Sequence, residues 1–329
     1  MLSQKTLPLL ALAALLFTAC DDDTIIDDIL PPDEVIVRNQ TGLYPEGIDY
    51  DDDKDRFLIS SVTTGNIGGV DDNGNYTVLV DNDEIFSAVG ILVDNERNRV
   101  LVAIGDFGAA ANSTPATINK TAKLGSFSLD DGSMNWIADL AALNDPGDSL
   151  SFANDVAIDD DGNAYVTNSF APYLYRVNPD GGASVFVRDD RFRPGAGAFG
   201  FNGIVQVDDY LIVAYSETNS LYRFRLDGST DGQEIELSQP LPDSPDGLEL
   251  QGRDNLVVVA NASREVIKLD REDDWQRLTF VESQPATLGE FPTTAVVRAG
   301  QTYVLYAYLN KLMMGDATQS RYEIERVDF

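Results

Sequence analysis

A short segment recurs six times along the chain, and this repeat constrains the fold more than any other feature. Successive copies begin 43 to 65 residues apart, and each opens a run of alternating or apolar residues. Repeats of roughly 40 to 50 residues are typical of β-propeller blades. Six copies therefore predict six blades. The copies are Pro45–Ile48, Ala88–Ile91, Ala153–Val156, Phe201–Ile204, Pro245–Leu248 and Pro292–Ala295.

The third repeat shows how each blade is built. Short alternating runs at 155–158, 164–167, 174–177 and 184–187 are separated by turn residues, including Asp161-Gly162 and Asp180-Gly181. Asp-Gly turns between β-branched and aromatic runs are a strong signal for antiparallel hairpins. The sequence thus predicts an all-β fold, a six-bladed β-propeller whose blades are four-stranded antiparallel sheets.

The last repeat contains only three strand-like runs, at 294–298, 302–308 and 321–327. The segment Val35–Arg38 precedes the first repeat and has the pattern of a strand. Pairing the two ends of the chain would complete the sixth blade and remove free sheet edges. We therefore predict that this N-terminal strand closes the ring.

Three segments without strand pattern interrupt the repeats, at 105–123, 143–151 and 189–200. Long loops in a compact domain are often binding loops or lids. These segments are therefore candidates for the rim of a pocket, and mobile surface loops are the alternative.

The N-terminus has the pattern of a bacterial lipoprotein signal. Lys5 precedes the apolar run Leu7–Phe17, and the only cysteine of the chain, Cys20, follows Thr18 and Ala19. We predict a signal peptide at 1–19, a lipidated Cys20 with an acidic tether at 20–32, and the propeller at 33–329. The alternative is an ordinary cleaved signal peptide. The predicted location is the bacterial cell envelope.

The formal net charge of −32 predicts repulsion from nucleic acid and from anionic lipid headgroups. We therefore expect no nucleic-acid partner and contact with the membrane through the lipid anchor only. The protein is expected to be a monomer. The chain has no histidine and no cysteine other than Cys20. Catalysis by Ser-His-Asp or Cys-His groups is thereby excluded, and zinc and copper are disfavoured as metals.

Equivalent positions of a propeller repeat form a ring, because the innermost strand of each blade runs along the central channel. The second residues of the six copies are Glu46, Val89, Asn154, Asn202, Asp246 and Thr293. Two carboxylates and two amides suit a hard cation, with Ca²⁺ expected and Mg²⁺ or Mn²⁺ as alternatives. Turn and cap formation is the competing explanation for polar residues before glycine, but glutamate is a poor turn former.

The order Glu, Asn, Asn, Asp resembles the metal-binding set of the SMP-30/gluconolactonase/LRE family of calcium-dependent six-bladed propellers. The resemblance implies that Glu46, Asn154, Asn202 and Asp246 bind a divalent metal. It also implies lactone or ester hydrolysis, in which the metal polarises the substrate carbonyl and activates water. Asp246 is then the predicted general base as well as a ligand.

One position departs from the family pattern. Where sugar-lactone hydrolases of the family commonly have an arginine, two residues before the first asparagine, this chain has Phe152. Together with Phe199 and Phe201, it predicts an apolar pocket mouth, with Phe152 and Phe201 as substrate contacts. A lactone or ester less polar than gluconolactone is expected.

A non-catalytic function is the alternative from a different class. An envelope-anchored propeller could bind a ligand or a protein partner while the metal only stabilises the channel. A strictosidine-synthase-like propeller is a third, related interpretation. The sequence leaves these readings open, because a metal ligand for catalysis and one for structure have the same chemistry.

Overall fold

Six antiparallel sheets, one for each repeat, are arranged as the blades of a β-propeller. This computed structural model describes residues 31–229 and 231–329, so the predicted signal peptide, Cys20 and most of the tether lie outside the described residues. The predicted fold class is confirmed. Within each blade the chain runs outward from the axis through consecutive antiparallel strands, as the hairpin turns in the sequence predict.

The first three blades follow the N-terminal strand β1 (Glu34–Arg38). Blade 1 contains β2 (Ile48–Asp51), β3 (Arg56–Ile59), β4 (Ile67–Val70) and β5 (Tyr76–Val80). Blade 2 contains β6 (Ser87–Asp94), β7 (Arg99–Gly105), β9 (Lys123–Ser128) and β10 (Met134–Asp139), with β8 (Lys120–Thr121) in an insertion. Blade 3 contains β11 (Ser151–Ile158), β12 (Ala164–Asn168), β13 (Tyr173–Val177) and β14 (Ala183–Arg188).

The remaining blades follow the same order. Blade 4 contains β15 (Phe201–Val207), β16 (Tyr210–Tyr215), β17 (Ser220–Arg225) and β18 (Gln233–Glu234). Blade 5 contains β20 (Pro245–Gln251), β21 (Asn255–Ala260), β22 (Glu265–Glu272) and β23 (Arg277–Pro285), preceded by β19 (Glu236–Leu237). Blade 6 contains β24 (Pro292–Arg298), β25 (Gln301–Tyr306) and β26 (Arg321–Val327).

Helical structure in the described residues is limited to short connections. Four single-turn 3₁₀ helices lie at Asn95–Arg97, Ala141–Leu143, Asp190–Phe192 and Ser216–Thr218. One short α-helix, α1 (Leu309–Met313), connects β25 to β26. Within residues 31–229 and 231–329, no helix has the length and apolar character needed to cross a membrane.

The insertion of blade 2 is more ordered than its composition predicts. Its strand β8 runs parallel to the start of β11, pairing Lys120 with Ser151 and Thr121 with Phe152. This pairing adds a fifth strand beside the inner strand of blade 3. The segment was expected to lack strands because a two-residue strand leaves no alternating pattern in a sequence.

The apolar core fills the spaces between neighbouring blades. Between blades 6 and 1, for example, the rings of Phe57 and Tyr303 lie 5.3 Å apart, centroid to centroid, and both are fully buried. Each large side chain buried in this way stabilises the fold by about 1.5 to 3 kcal/mol. Because the described chain has no disulfide, this packing holds the blades together.

The N-terminal strand closes the ring, as predicted. Strand β1 pairs antiparallel with β26, from Glu34 opposite Glu325 to Arg38 opposite Arg321. Blade 6 therefore has the strand order β1-β26-β25-β24. Val35 and Val37 are 1% and 0% exposed, so β1 contributes to the core as well as to the sheet.

Removal of β1 tests this closure. A protein that begins at Asn39 should lose about 3 kcal/mol or more of unfolding free energy, since two buried valines and a row of sheet hydrogen bonds are removed. Urea unfolding followed by circular dichroism measures the change. The matched control begins at Pro31 and keeps β1. Equal midpoints for the two proteins would show that β1 does not close the propeller.

Candidate functional site

The ring positions meet at one end of the central channel. Glu46, Val89, Asn154, Asn202 and Asp246 all line a single open cavity of about 190 Å³. Thr293, the sixth ring residue, is 1% exposed, and its hydroxyl donates to the Glu46 carbonyl oxygen at 2.8 Å. The structure thus brings together the four oxygen-donor residues that the sequence separates by as many as 200 positions.

A local irregularity in the inner strands turns these side chains toward the axis. In five blades the register with the second strand shifts across the ring residue, for example between Ala153 and Val156 and between Phe201 and Ile204. Such bulges leave residues unpaired and re-aim their side chains, and they are common beside active sites. Asn154, Asn202 and Asp246 each lie in such an interruption.

Glycine after the ring residue lets neighbouring inner strands approach closely. A Cβ atom on Gly47 would lie 2.3 Å from the carbonyl oxygen of Val89 in blade 2. A Cβ atom on Gly203 would lie 2.3 Å from the carbonyl oxygen of Asp246 in blade 5. A larger residue would push these blades apart at the axis. The glycines in the repeat therefore set the width of the channel below the cavity.

Hydrogen bonds from the second strands fix two of the ring side chains. Asn261, directly after β21, donates through Nδ2 to Asp246 Oδ2 at 2.8 Å. Ser216, directly after β16, accepts from Asn202 Nδ2 at 3.0 Å and donates to the Pro245 carbonyl oxygen at 2.7 Å. Since Asn202 Nδ2 is committed to Ser216, its Oδ1 is the atom available to a ligand.

The two carboxylates of the ring have raised pKa values. Burial raises the pKa of Glu46 well above its usual value, and the charges of Asp246 and Asp155 raise it further. Burial also raises the pKa of Asp246 to about 7, with hydrogen bonds from Asn261 and Asn202 acting in the opposite direction. No lysine or arginine is among the described residues that line the cavity. The ionised carboxylates thus lack a protein countercharge.

A second acidic group lies along the channel on the other side of the glycine positions. Asp49, Asp155 and Glu249 line an adjoining open space. Asp49 Oδ2 accepts from the Val93 backbone N–H at 2.6 Å, and Asp155 Oδ2 accepts from that of Ile204 at 3.1 Å, so both connect neighbouring blades. Burial raises the pKa of each of these two aspartates to about 7.

The donor set around the cavity fits a hard divalent cation such as Ca²⁺. Carboxylate and amide oxygens are the ligands such ions prefer, and a cation would relieve the repulsion between Glu46 and Asp246. In the described ranges, no group of three or more Asp, Glu, His or Cys side chains is placed to share a metal ion. Binding would therefore depend on the amide oxygens of Asn154 and Asn202 as well as on the two carboxylates.

The predicted aromatic contacts occupy two different environments. Phe152 is 3% exposed and lines the cavity next to Asn154. Phe201 instead is fully buried between the sheets, with its ring 4.8 Å from that of Phe192 and 5.6 Å from that of Tyr215. This location contradicts the predicted substrate contact of Phe201. The residue stabilises the core.

Several residues of the cavity were not identified from the sequence. Ser216 and Asn261 follow the second strands of successive blades, so extending the repeat alignment beyond the inner strand would have found them. Two of the three predicted loops do supply lining residues, Phe107 from 105–123 and Phe199 from 189–200. Three further lining residues come from blade 6 and lack a repeat signal. They are Phe291, Leu309 and Met313.

Comparison with solved structures supports the propeller fold. The chain is similar to the major allergen Mala s 1 of Malassezia sympodialis, with a TM-score of 0.74 and 18% identity over 90% of this chain and 96% of that one. It is similar to luciferin-regenerating enzyme, with a TM-score of 0.61 and 12% identity over 90% and 97%. It is also similar to a gluconolactonase from Xanthomonas campestris, with a TM-score of 0.57 and 15% identity over 89% of both chains.

No protein-family model matches the sequence, and no curated protein matches it. At identities of 12 to 18% the structural likeness shows the fold and not the reaction. Fold and site together define a six-bladed β-propeller with a cavity at one end of its axis whose floor carries carboxylates and amides. The resemblance to the SMP-30/gluconolactonase/LRE family holds at this level of fold.

The raised carboxyl pKa values predict a pH-dependent stability. Asp49 and Asp155 have folded pKa values of about 7, against 3.8 for an unperturbed aspartate. Such groups favour the folded state fully below the unfolded pKa, and this stability is lost as pH rises through the folded pKa. With a chelator present, the melting temperature should therefore decrease as the pH rises from about 4 to about 8. Each pKa unit between the folded and unfolded values corresponds to about 1.4 kcal/mol of unfolding free energy.

Glu249→Gln separates this effect from the general repulsion of an acidic protein. Burial raises the pKa of Glu249 well above its usual value, so its replacement by a neutral amide should raise the melting temperature at pH 8 and flatten the pH profile. Glu96→Gln is the control, since that side chain is 85% exposed. Equal profiles for the two variants would show that buried carboxylates do not control the stability.

Proposed function

We propose that this protein is a hydrolase of lactones or esters that depends on a divalent cation, Ca²⁺, in the axial cavity. One observation carries the proposal: two carboxylates and two amides share the floor of a single cavity whose described lining has no basic side chain. Such a floor has oxygen ligands for a cation and, beside them, an open volume for an organic substrate.

Glu46, Asn154, Asn202 and Asp246 would hold the cation. When bound, the cation would act as a Lewis acid that polarises the carbonyl group of a lactone or ester. Asn261 and Ser216 keep Asp246 and Asn202 in place through the hydrogen bonds described above. The protein therefore contributes four oxygen donors, and hydrogen bonds from blades 4 and 5 fix two of them.

Asp246 is the proposed general base, because its carboxylate lines the open cavity in which water would attack the substrate. It would accept a proton from the attacking water as the water oxygen bonds to the carbonyl carbon. The acyl carbon–oxygen bond then breaks, and the departing alcohol oxygen receives that proton from Asp246. The product of a lactone is a hydroxy acid, so all atoms of water are incorporated.

The composition restricts the alternatives to this reaction. With no histidine in the chain and one cysteine at position 20, a histidine base or a Cys-His pair cannot carry out the hydrolysis. Solved structures with this fold that are named as enzymes include a gluconolactonase, luciferin-regenerating enzyme and a virginiamycin B lyase. That similarity supports an enzymatic use of the fold, hydrolytic or lyase, without assigning a substrate.

Substitution of Asp246 tests the reaction. Asp246→Asn should lower kcat/KM by about 100-fold to 10,000-fold, since the amide cannot accept the proton. The assay uses a panel of lactones and aryl esters, with added Ca²⁺ and with chelator, and wild-type hydrolysis should be lost in chelator. Asp243→Asn is the control, because Asp243 is exposed and lies three residues away.

Two outcomes would contradict the proposal. Turnover that persists in chelator would exclude the cation from the reaction. Binding of Ca²⁺ by the wild-type protein, measured by calorimetry and lost in Glu46→Gln, without hydrolysis of any lactone or ester, would instead support the non-catalytic alternative. In that case the cation would only stabilise the channel.

A further inference from the structure

Aromatic side chains form one wall of the cavity above the polar floor. The ring of Phe152 lies 6.0 Å from Phe107, 5.2 Å from Phe170 and 6.5 Å from Phe199, centroid to centroid. Phe107, Phe152 and Phe199 line the cavity, and Phe170 packs behind them with its ring 5.2 Å from that of Phe199. This group, here called the phenylalanine wall, comes from blades 2 and 3 and from the loop that leads into blade 4.

Blade 6 supplies the facing wall. Phe291 precedes β24, and Leu309 and Met313 belong to α1, and all three line the same cavity. Leu309 is 8% exposed and anchors the helix, whereas Met313 is 66% exposed. Because blades 3 and 6 are opposite each other in a ring of six, these residues face the phenylalanine wall across the cavity.

Few polar side chains line the cavity besides those of the ring. Besides the ring residues, the polar lining residues are Ser216, Ser244 and Asn261. Ser216 and Asn261 already have hydrogen-bond partners within the protein. Neither wall thus offers donors or acceptors for a ligand that carries many hydroxyl groups, and burying such groups without partners is unfavourable.

Charge further restricts the ligand. The formal net charge of −32 opposes an anionic molecule, and no arginine or lysine in the described lining would pair with one. A bound divalent cation would only neutralise the two carboxylates of the floor. A neutral molecule with a polar end and an apolar body matches the polar floor and the two apolar walls.

We infer that the substrate is a neutral lactone or ester whose carbonyl group carries an alkyl chain or an aryl group, with this apolar part held between the phenylalanine wall and the residues of blade 6. The inference rests on the proposed hydrolase for the reaction and on the two walls for the choice of substrate. Polyhydroxylated sugar lactones are then poor substrates.

A series of γ-butyrolactones that carry an unbranched alkyl chain of one to nine carbons on the carbon next to the carbonyl group tests this inference, with glucono-δ-lactone as the polar comparison. Each added methylene should raise kcat/KM about three- to fourfold until the cavity is filled, since burying one methylene is worth about 0.8 kcal/mol. The increase should then stop. A matching series of 2-alkylcyclopentanones, which hydrolysis cannot open, measures binding alone by calorimetry.

Variants of exposed lining residues connect the chain-length effect to the walls. Met313→Ala and Phe199→Ala should each reduce the ratio of kcat/KM for the longest chain to kcat/KM for the shortest chain by about 5- to 20-fold. These side chains are 66% and 45% exposed, so their loss should not disturb the core. Met314→Ala is the control, since Met314 is 81% exposed and is not one of the described lining residues.

The results separate this inference from the proposed function. If the cyclopentanones bind more tightly with chain length but no lactone or ester is hydrolysed, the apolar site stands and the hydrolase fails. If kcat/KM for glucono-δ-lactone equals that for the alkyl lactones, the hydrolase stands and the apolar substrate class is overturned. Equal chain-length effects in the Met313 and Met314 variants would also overturn it.

Discussion

The close approach of the inner strands around the axis is the constraint on which the site depends. Four ring residues are followed by glycine, and at each of these positions a Cβ atom would lie within 2.4 Å of the next blade. The two remaining positions carry Asp155 and Thr294, whose side chains therefore occupy the narrow part of the channel. Because the blades approach so closely here, the residues just before the glycines converge on one cavity.

Convergence places acidic groups where water solvates them poorly. The raised pKa values of Glu46, Asp246, Asp155 and Asp49 have burial as their largest cause, with the charge of neighbouring carboxylates contributing to several of them. Similar groups in bulk water would be ionised at neutral pH without cost. The same burial thus destabilises the ionised form of the fold and would favour binding of the cation that the proposed reaction uses. Under this proposal, stability and function are coupled through these carboxylates.

The predicted substrate contacts Phe152 and Phe201 differ in location because they differ in their position relative to the ring residue of the same strand. Successive side chains of a strand point to opposite faces. Phe152 lies two residues before Asn154 and shares its direction, so it lines the cavity. Phe201 lies one residue before Asn202 and points the other way, into the core between blades, where it contacts Phe192 and Tyr215. The prediction for Phe201 used proximity in the sequence and neglected this alternation.

The sequence by itself determined the blade number and the order of the ring residues, because both follow from the repeat. It also determined the closure by β1, because the last repeat has only three strand-like runs. It also determined that no histidine could take part. Only the tertiary structure decided which side chains complete the site. Asn261 and Ser216 follow second strands and contact ring residues. Met313 and Leu309 line the cavity from a helix outside the repeat. The carboxyl pKa values depend on burial. Contacts between distant segments and desolvation are properties of packing, which no local pattern records.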